Sequence, residues 1–114
     1  MKKRDDTVYL RHIADAITRI EEYLADVDQP TFIKTPLLQD GVIRQIEIIG
    51  EATKRISVDV KGKHVSIPWK DIAGMRDKLI HDYFGVDNDA VWSTAKRDIP
   101  ALKTEIKRIL KSFM

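Results

Sequence analysis

The sequence predicts an all-α fold: an up-down bundle of four main helices, or five with the last pair counted separately. Two observations carry that expectation. Apolar residues recur at steps of three and four along most of the 114 residues, the stripe of amphipathic helices. The few glycines and prolines sit at the apparent element boundaries, as expected of helices joined by short loops. A chain of this length is expected to form one domain, residues 1–114, around a single core.

The first stripe is Leu10, Ile13, Ile17, Ile20 and Leu24, with Arg11, Asp15, Arg19 and Glu22 on the opposite face. It predicts a helix from about Asp6 to Ala25, capped by Asp5 or Asp6. Asp26 to Pro30 should end it, because proline disfavours helical geometry in the residue before it. Thr35-Pro36 opens a second helix through a hydroxyl cap and a proline at the first helical position. Leu38, Val42, Ile46, Ile49 and Ile56 carry that helix to between Arg55 and Ser57. Gly50 inside it costs about 1 kcal/mol relative to alanine, and its expected use is to let another backbone come close, helped by Ala52. Ser57 to Val65 is polar and reads as a loop. Ser66-Ile67-Pro68-Trp69 opens a third helix through Ile72, Met75 and Leu79. Gly85 stops the chain, Asp87 caps a short helix from Asn88 to about Arg97, and Asp98-Ile99-Pro100 starts the last helix, with Leu102, Ile106, Ile109 and Phe113 on one face.

Composition narrows the function classes. Twenty basic residues against 18 acidic ones give a formal charge of +2, so a whole-chain field for non-specific nucleic-acid binding is absent and any RNA contact must be local. The absence of cysteine excludes disulfides and fits a reducing, cytoplasmic setting. No apolar run approaches the roughly 18 residues of a membrane span. Basic residues open the chain without an apolar run behind them, unlike a secretory signal.

Common catalytic motifs are missing: no phosphate-binding glycine loop, no His-Glu-x-x-His, no Gly-x-Ser-x-Gly. Asp87-Asn88-Asp89 resembles the start of a calcium loop but is better explained as a helix cap. Glu47 and Glu51 share a helical face, where a salt-bridged face with Arg44 or Arg55 is commoner than a carboxylate pair. His12 and His64 have no evident partner and are expected at the surface. His81 stands out, since Arg76, Asp77, Lys78, Asp82 and Tyr83 surround it in sequence. Imidazole moves protons near neutral pH, and a guanidinium offers a permanently charged fork to a phosphate. With no metal ligands or cofactor motif in sight, Arg76 and His81 are a sufficient minimum for cleaving RNA through its own 2′-hydroxyl, a nucleophile DNA lacks.

Spacing adds a constraint. Residues five apart on a regular helix are separated by roughly 140°, so Arg76 and His81 would not share a face, whereas Asp77 and His81 would be neighbours. Either the helix distorts before His81, or a second copy completes the catalytic set. A symmetric dimer is the expectation. A plainer reading has the same charged cluster favouring a helix dipole and capping its C-terminus.

Arg76-Asp77-x-x-x-His81 resembles the Arg-(polar)-x3-His pattern of the HEPN superfamily, and His81-x-Tyr83 resembles its HepT-like toxin branch. Asp40 through Arg44, Ile48-Ile49-Gly50-Glu51-Ala52, Ile67-Pro68-Trp69, Met75-Arg76, Tyr83 through Asp87 and Val91-Trp92 are similar to that branch in the same order. Asp82 departs from it, standing where a glycine or another small residue is expected, and its charge would raise the histidine pKa. The resemblance implies a metal-independent endoribonuclease acting as the toxin of a type VII-like toxin–antitoxin pair, cleaving RNA, tRNA included, as a homodimer with its cleft along the interface. It also implies an MntA-like minimal nucleotidyltransferase antitoxin that transfers AMP to Tyr83, placing phosphate charge and bulk against the arginine. The roles that follow are Arg76 and His81 catalytic, Asp77 supporting, Tyr83 modified. The alternatives are a non-catalytic module that docks a nucleotidyltransferase and helps bind nucleotide, and a purely structural dimerisation domain.

Overall fold

A computed structural model describes residues 2–80 and 85–113 of the chain. The regular elements among these residues are helical: α1 (Lys2–Leu24), α2 (Gln29–Ile33), α3 (Pro36–Arg55), α4 (Val58–Lys63), α5 (Trp69–Ala73), α6 (Met75–Leu79), α7 (Asn88–Ser93) and α8 (Ile99–Ser112). A π-helical turn, Thr94–Asp98, joins the last two. The all-α expectation holds.

Helices α1 and α3 run antiparallel. The Tyr23 ring lies against Gly41, where an added Cβ would come within 3.2 Å of the ring edge. At the other end of the pair, Asp6 reaches Ser57. Leu10, Ile13, Ile17 and Ile20 of α1 join Val42, Ile46 and Ile49 of α3 and Ile106 and Ile109 of α8 in one buried cluster. Each such side chain contributes about 1.5–3 kcal/mol relative to exposure, so the three expected stripes form the core.

Local structure departs from the sequence expectations at several places. Helix α1 starts at Lys2, so Asp6 lies inside it and is not its cap; its buried carboxylate instead accepts from the Ser57 N–H and hydroxyl, both at 2.7 Å. After α1, Asp26 turns the chain with φ of 60°, a conformation aspartate tolerates better than most residues. Asp28 then caps the additional helix α2 by accepting from Thr31 N–H at 2.9 Å, so Pro30 stands in a first helical turn. The Thr35 hydroxyl makes no cap bond to α3 and donates back to the Thr31 carbonyl.

The expected loop after α3 contains α4, whose cap is the Ser57 hydroxyl accepting from Val60 N–H at 3.2 Å. The last two helices are continuous. Pro100 has no N–H to donate and its ring crowds the preceding turn, and the π turn immediately before it widens the helix. Ile99 N–H donates five residues back, to Thr94. No helix among the described residues is long and apolar enough to cross a membrane.

Candidate active site

Arg76 is placed by a pair of one-turn helices. Ile67, Trp69, Ile72, Met75 and Leu79 are buried, which pins α5 and α6 to the core and leaves Arg76, Asp77 and Lys78 facing outward. The buried Trp69 indole N–H donates to the His64 carbonyl at 3.0 Å. The third helix expected through Leu79 is therefore two helices, broken at Gly74, whose N–H donates to Lys70 O and whose carbonyl accepts from Asp77 N–H, both at 3.1 Å. Gly50 has the use expected of it: a Cβ there would lie 3.1 Å from the Ala73 carbonyl oxygen, so the glycine sets the closeness of α5 to α3.

That closeness brings Arg76 to Glu47. Arg76 Nε donates to Glu47 Oε2 at 2.8 Å, and Nη1 lies 3.5 Å from Asp77 Oδ1. The guanidinium pKa is raised, chiefly by the Glu47 hydrogen bond, with desolvation opposing it and Asp77 adding a lesser raise. Glu47 is 31% exposed and also faces Arg44, with Oε1 3.9 Å from Nη1. Glu51 pairs with Lys54 at 3.3 Å. Glu47 and Glu51 thus form a salt-bridged face and not a carboxylate pair, with Arg76 as the partner that sequence spacing could not supply. Between α3 and α5–α6 these side chains surround an open polar cavity of about 360 Å³, with Gly50 and Ala73 among its lining.

His81 and Tyr83, together with Asp82, lie outside the described residues. The backbone on either side constrains what spacing can say about them. Helix α6 ends at Leu79, and Ile80 is extended at φ −120° and ψ 103°. Ile80 pairs antiparallel with Val86, and Asp87 N–H donates to Leu79 O at 3.0 Å. The helix therefore does not run regularly through Arg76 and His81. Of the two alternatives, the interrupted helix is the one present, and dimerisation no longer follows from the 140° separation. The expected Asp77–His81 alignment loses its regular helix for the same reason; among the described residues Asp77 lies beside Arg76.

Other candidates have structural places. His12 is exposed, edge-on to Tyr9, and His64 is a half-buried residue at the end of α4. Asp87 caps α7 by accepting from Ala90 N–H at 3.0 Å, and Asp89 accepts from Gln29 at 3.2 Å. A larger cavity of about 490 Å³ lies between α5–α6 and the π turn with α8. Its lining includes Ile72, Met75, Leu79 and Leu102 together with Asp71, Lys78, Asp98 and Glu105, and Arg76 does not line it.

Comparison with known proteins identifies the family. A Thermococcus cleftensis protein named "Probable ribonuclease HepT" is 48% identical over 109 residues, 96% of this chain and 99% of its own. "Putative RNase MJ0125" of Methanocaldococcus jannaschii is 46% identical over 113 residues, 99% of this chain and 97% of its own. A second protein of that organism, "Gamma-glutamylcyclotransferase and putative RNase MJ0434", is 48% identical over 111 residues, and this chain spans 50% of its length. No solved structure matches. Residues 13–109, most of the bundle and the whole of the cleft, match the family described as "Ribonuclease HepT-like", and the chain therefore belongs to the HepT-like ribonuclease family.

Proposed function

We propose that this chain is a metal-independent endoribonuclease with its active centre at Arg76 and His81. The observation that carries the proposal is the Arg76 guanidinium, held by Glu47 at the rim of an open polar cleft, a few residues before His81, in a chain of a ribonuclease family. Arg76 binds the scissile phosphate and stabilises the negative charge that builds on its oxygens. The substrate 2′-oxygen attacks phosphorus, the bond to the 5′-oxygen breaks, and the ends are a 2′,3′-cyclic phosphate and a 5′-hydroxyl. His81 takes or returns the protons. Asp77 supports the site from beside the guanidinium.

The chain acts in this reading as a cytoplasmic toxin and a homodimer. Its antitoxin is an MntA-like nucleotidyltransferase that adds AMP to Tyr83, and RNA, tRNA included, is the substrate. Expression alone should arrest growth, and Arg76→Ala or His81→Ala should relieve the arrest at equal protein level. Arrest by the His81→Ala chain as strong as by the wild type would instead favour a module that docks a nucleotidyltransferase without cleaving RNA.

A further inference from the structure

We infer that Glu47 is a positioning residue for the reaction: it fixes the Arg76 guanidinium so that its terminal edge faces the substrate phosphate. The inference rests on the ribonuclease reading above and gives a role in the reaction to a residue to which that reading assigns none.

Arg76 is a long side chain on a one-turn helix, 45% exposed. A free arginine of that kind loses rotamer freedom when it closes on the charge that builds in the transition state, which slows the chemical step. Glu47 removes that loss beforehand. It stands inside α3, a helix of 20 residues packed into the core, and it reaches across to Arg76 Nε at 2.8 Å. Of the five guanidinium N–H groups, this bond takes the one nearest the stem. The terminal Nη1–Nη2 edge, the fork that matches two phosphate oxygens, is not the part that Glu47 holds; among the described residues the exposed Asp77 carboxylate lies 3.5 Å from Nη1.

Gly50 belongs to the same device. Any side chain there would push the Ala73 carbonyl and carry α6 away from α3, opening the gap that the Glu47–Arg76 bond spans. Arg44 completes the support from one turn before Glu47 on α3.

The test is a double-mutant cycle on single-turnover RNA cleavage, joined to NMR of the Arg76 Nε–H. Glu47→Ala should lower kcat about 10- to 100-fold with little change in KM, the size of effect expected when a reacting group is displaced by about 1 Å. Glu47→Gln, whose amide oxygen still accepts from Nε, should stay within about fivefold of wild type, and Glu47→Ala should cost less than about twofold once Arg76 is already alanine. A merely structural role would instead lower activity equally in both backgrounds and overturn the inference. So would a fully active or hyperactive Glu47→Ala chain. A Glu47→Gln chain as impaired as Glu47→Ala would make the carboxylate a proton acceptor and overturn it as well. In the NMR arm, the Nε–H should exchange slowly and resonate apart from exposed arginines in wild type and Glu47→Gln, and rejoin them in Glu47→Ala; an exposed-arginine signal in the wild type overturns the inference whatever the activity. Wild-type protein that cleaves no RNA yet keeps the protected signal would sink the ribonuclease reading while leaving Glu47 as the holder of Arg76.

Discussion

Asp6 carries a carboxylate into the interior, 2% exposed, and spends both oxygens on Ser57. Ser57 in turn caps α4, so one residue of α1 fixes the chain after α3. Hydrogen bonds to a charged group contribute about 1.5–3 kcal/mol each way of counting, and stranding the Ser57 N–H adds a desolvation cost. Asp6→Ala should therefore lose about 2–4 kcal/mol in urea unfolding, with the cleavage rate per folded molecule unchanged. The sequence pointed to Asp5 or Asp6 as a capping residue, and capping chemistry is what Asp6 performs. Its target is 51 residues away, a pairing that local pattern cannot supply. Arg76 and Glu47 repeat the lesson across 29 residues: each was conspicuous by its type and its neighbours, and only packing joins them.

Among the elements, the contact of α3 with α5 sets the cleft. Gly50→Val should force the Ala73 carbonyl back and cost about 1–3 kcal/mol, as overpacking does, read as a lower midpoint in chemical denaturation. Cleavage should fall further than the loss of folded protein explains, because α6 carries Arg76. Wild-type activity in a folded Gly50→Val chain would show that the gap does not matter to the site. The glycine was legible in sequence because a mid-helix glycine is a visible cost. The break at Gly74 was not, since Ile72, Met75 and Leu79 keep a helical period straight through it and all three are buried. Helix α4 was hidden by its polarity: among its residues Val60 is the buried one, too few apolar positions to show a stripe. The π turn was hidden for a different reason, as Pro100 marked a helix start equally well and only the geometry shows the helix passing through.

For the whole molecule, a formal charge of +2 supplies no broad basic field, so in the proposed reading the hold on RNA phosphate is local, at the cleft that Arg76 lines. The bundle itself was legible because the stripes of α1, α3 and α8 make one core. The relation of Arg76 to His81 was not, because it depends on where α6 ends, and the helix stops at Leu79. Inhibition belongs to this scale too: co-expression with a partner nucleotidyltransferase should add AMP mass to the intact chain, and Tyr83→Phe should abolish the addition. An unmodified chain in a neutralised complex would point to steric block. The central claim, that Arg76 and His81 cleave RNA without metal, is tested most directly by single-turnover cleavage of RNA in excess chelator by wild type, Arg76→Ala and His81→Ala. Wild type should cut, leaving cyclic phosphate ends, and each variant should be slower by at least about 10²-fold, the scale for losing a group that stabilises the transition state or moves its proton, with its thermal midpoint unchanged. Cleavage that needs added metal, or an Arg76→Ala chain that cuts at the wild-type rate, would contradict it.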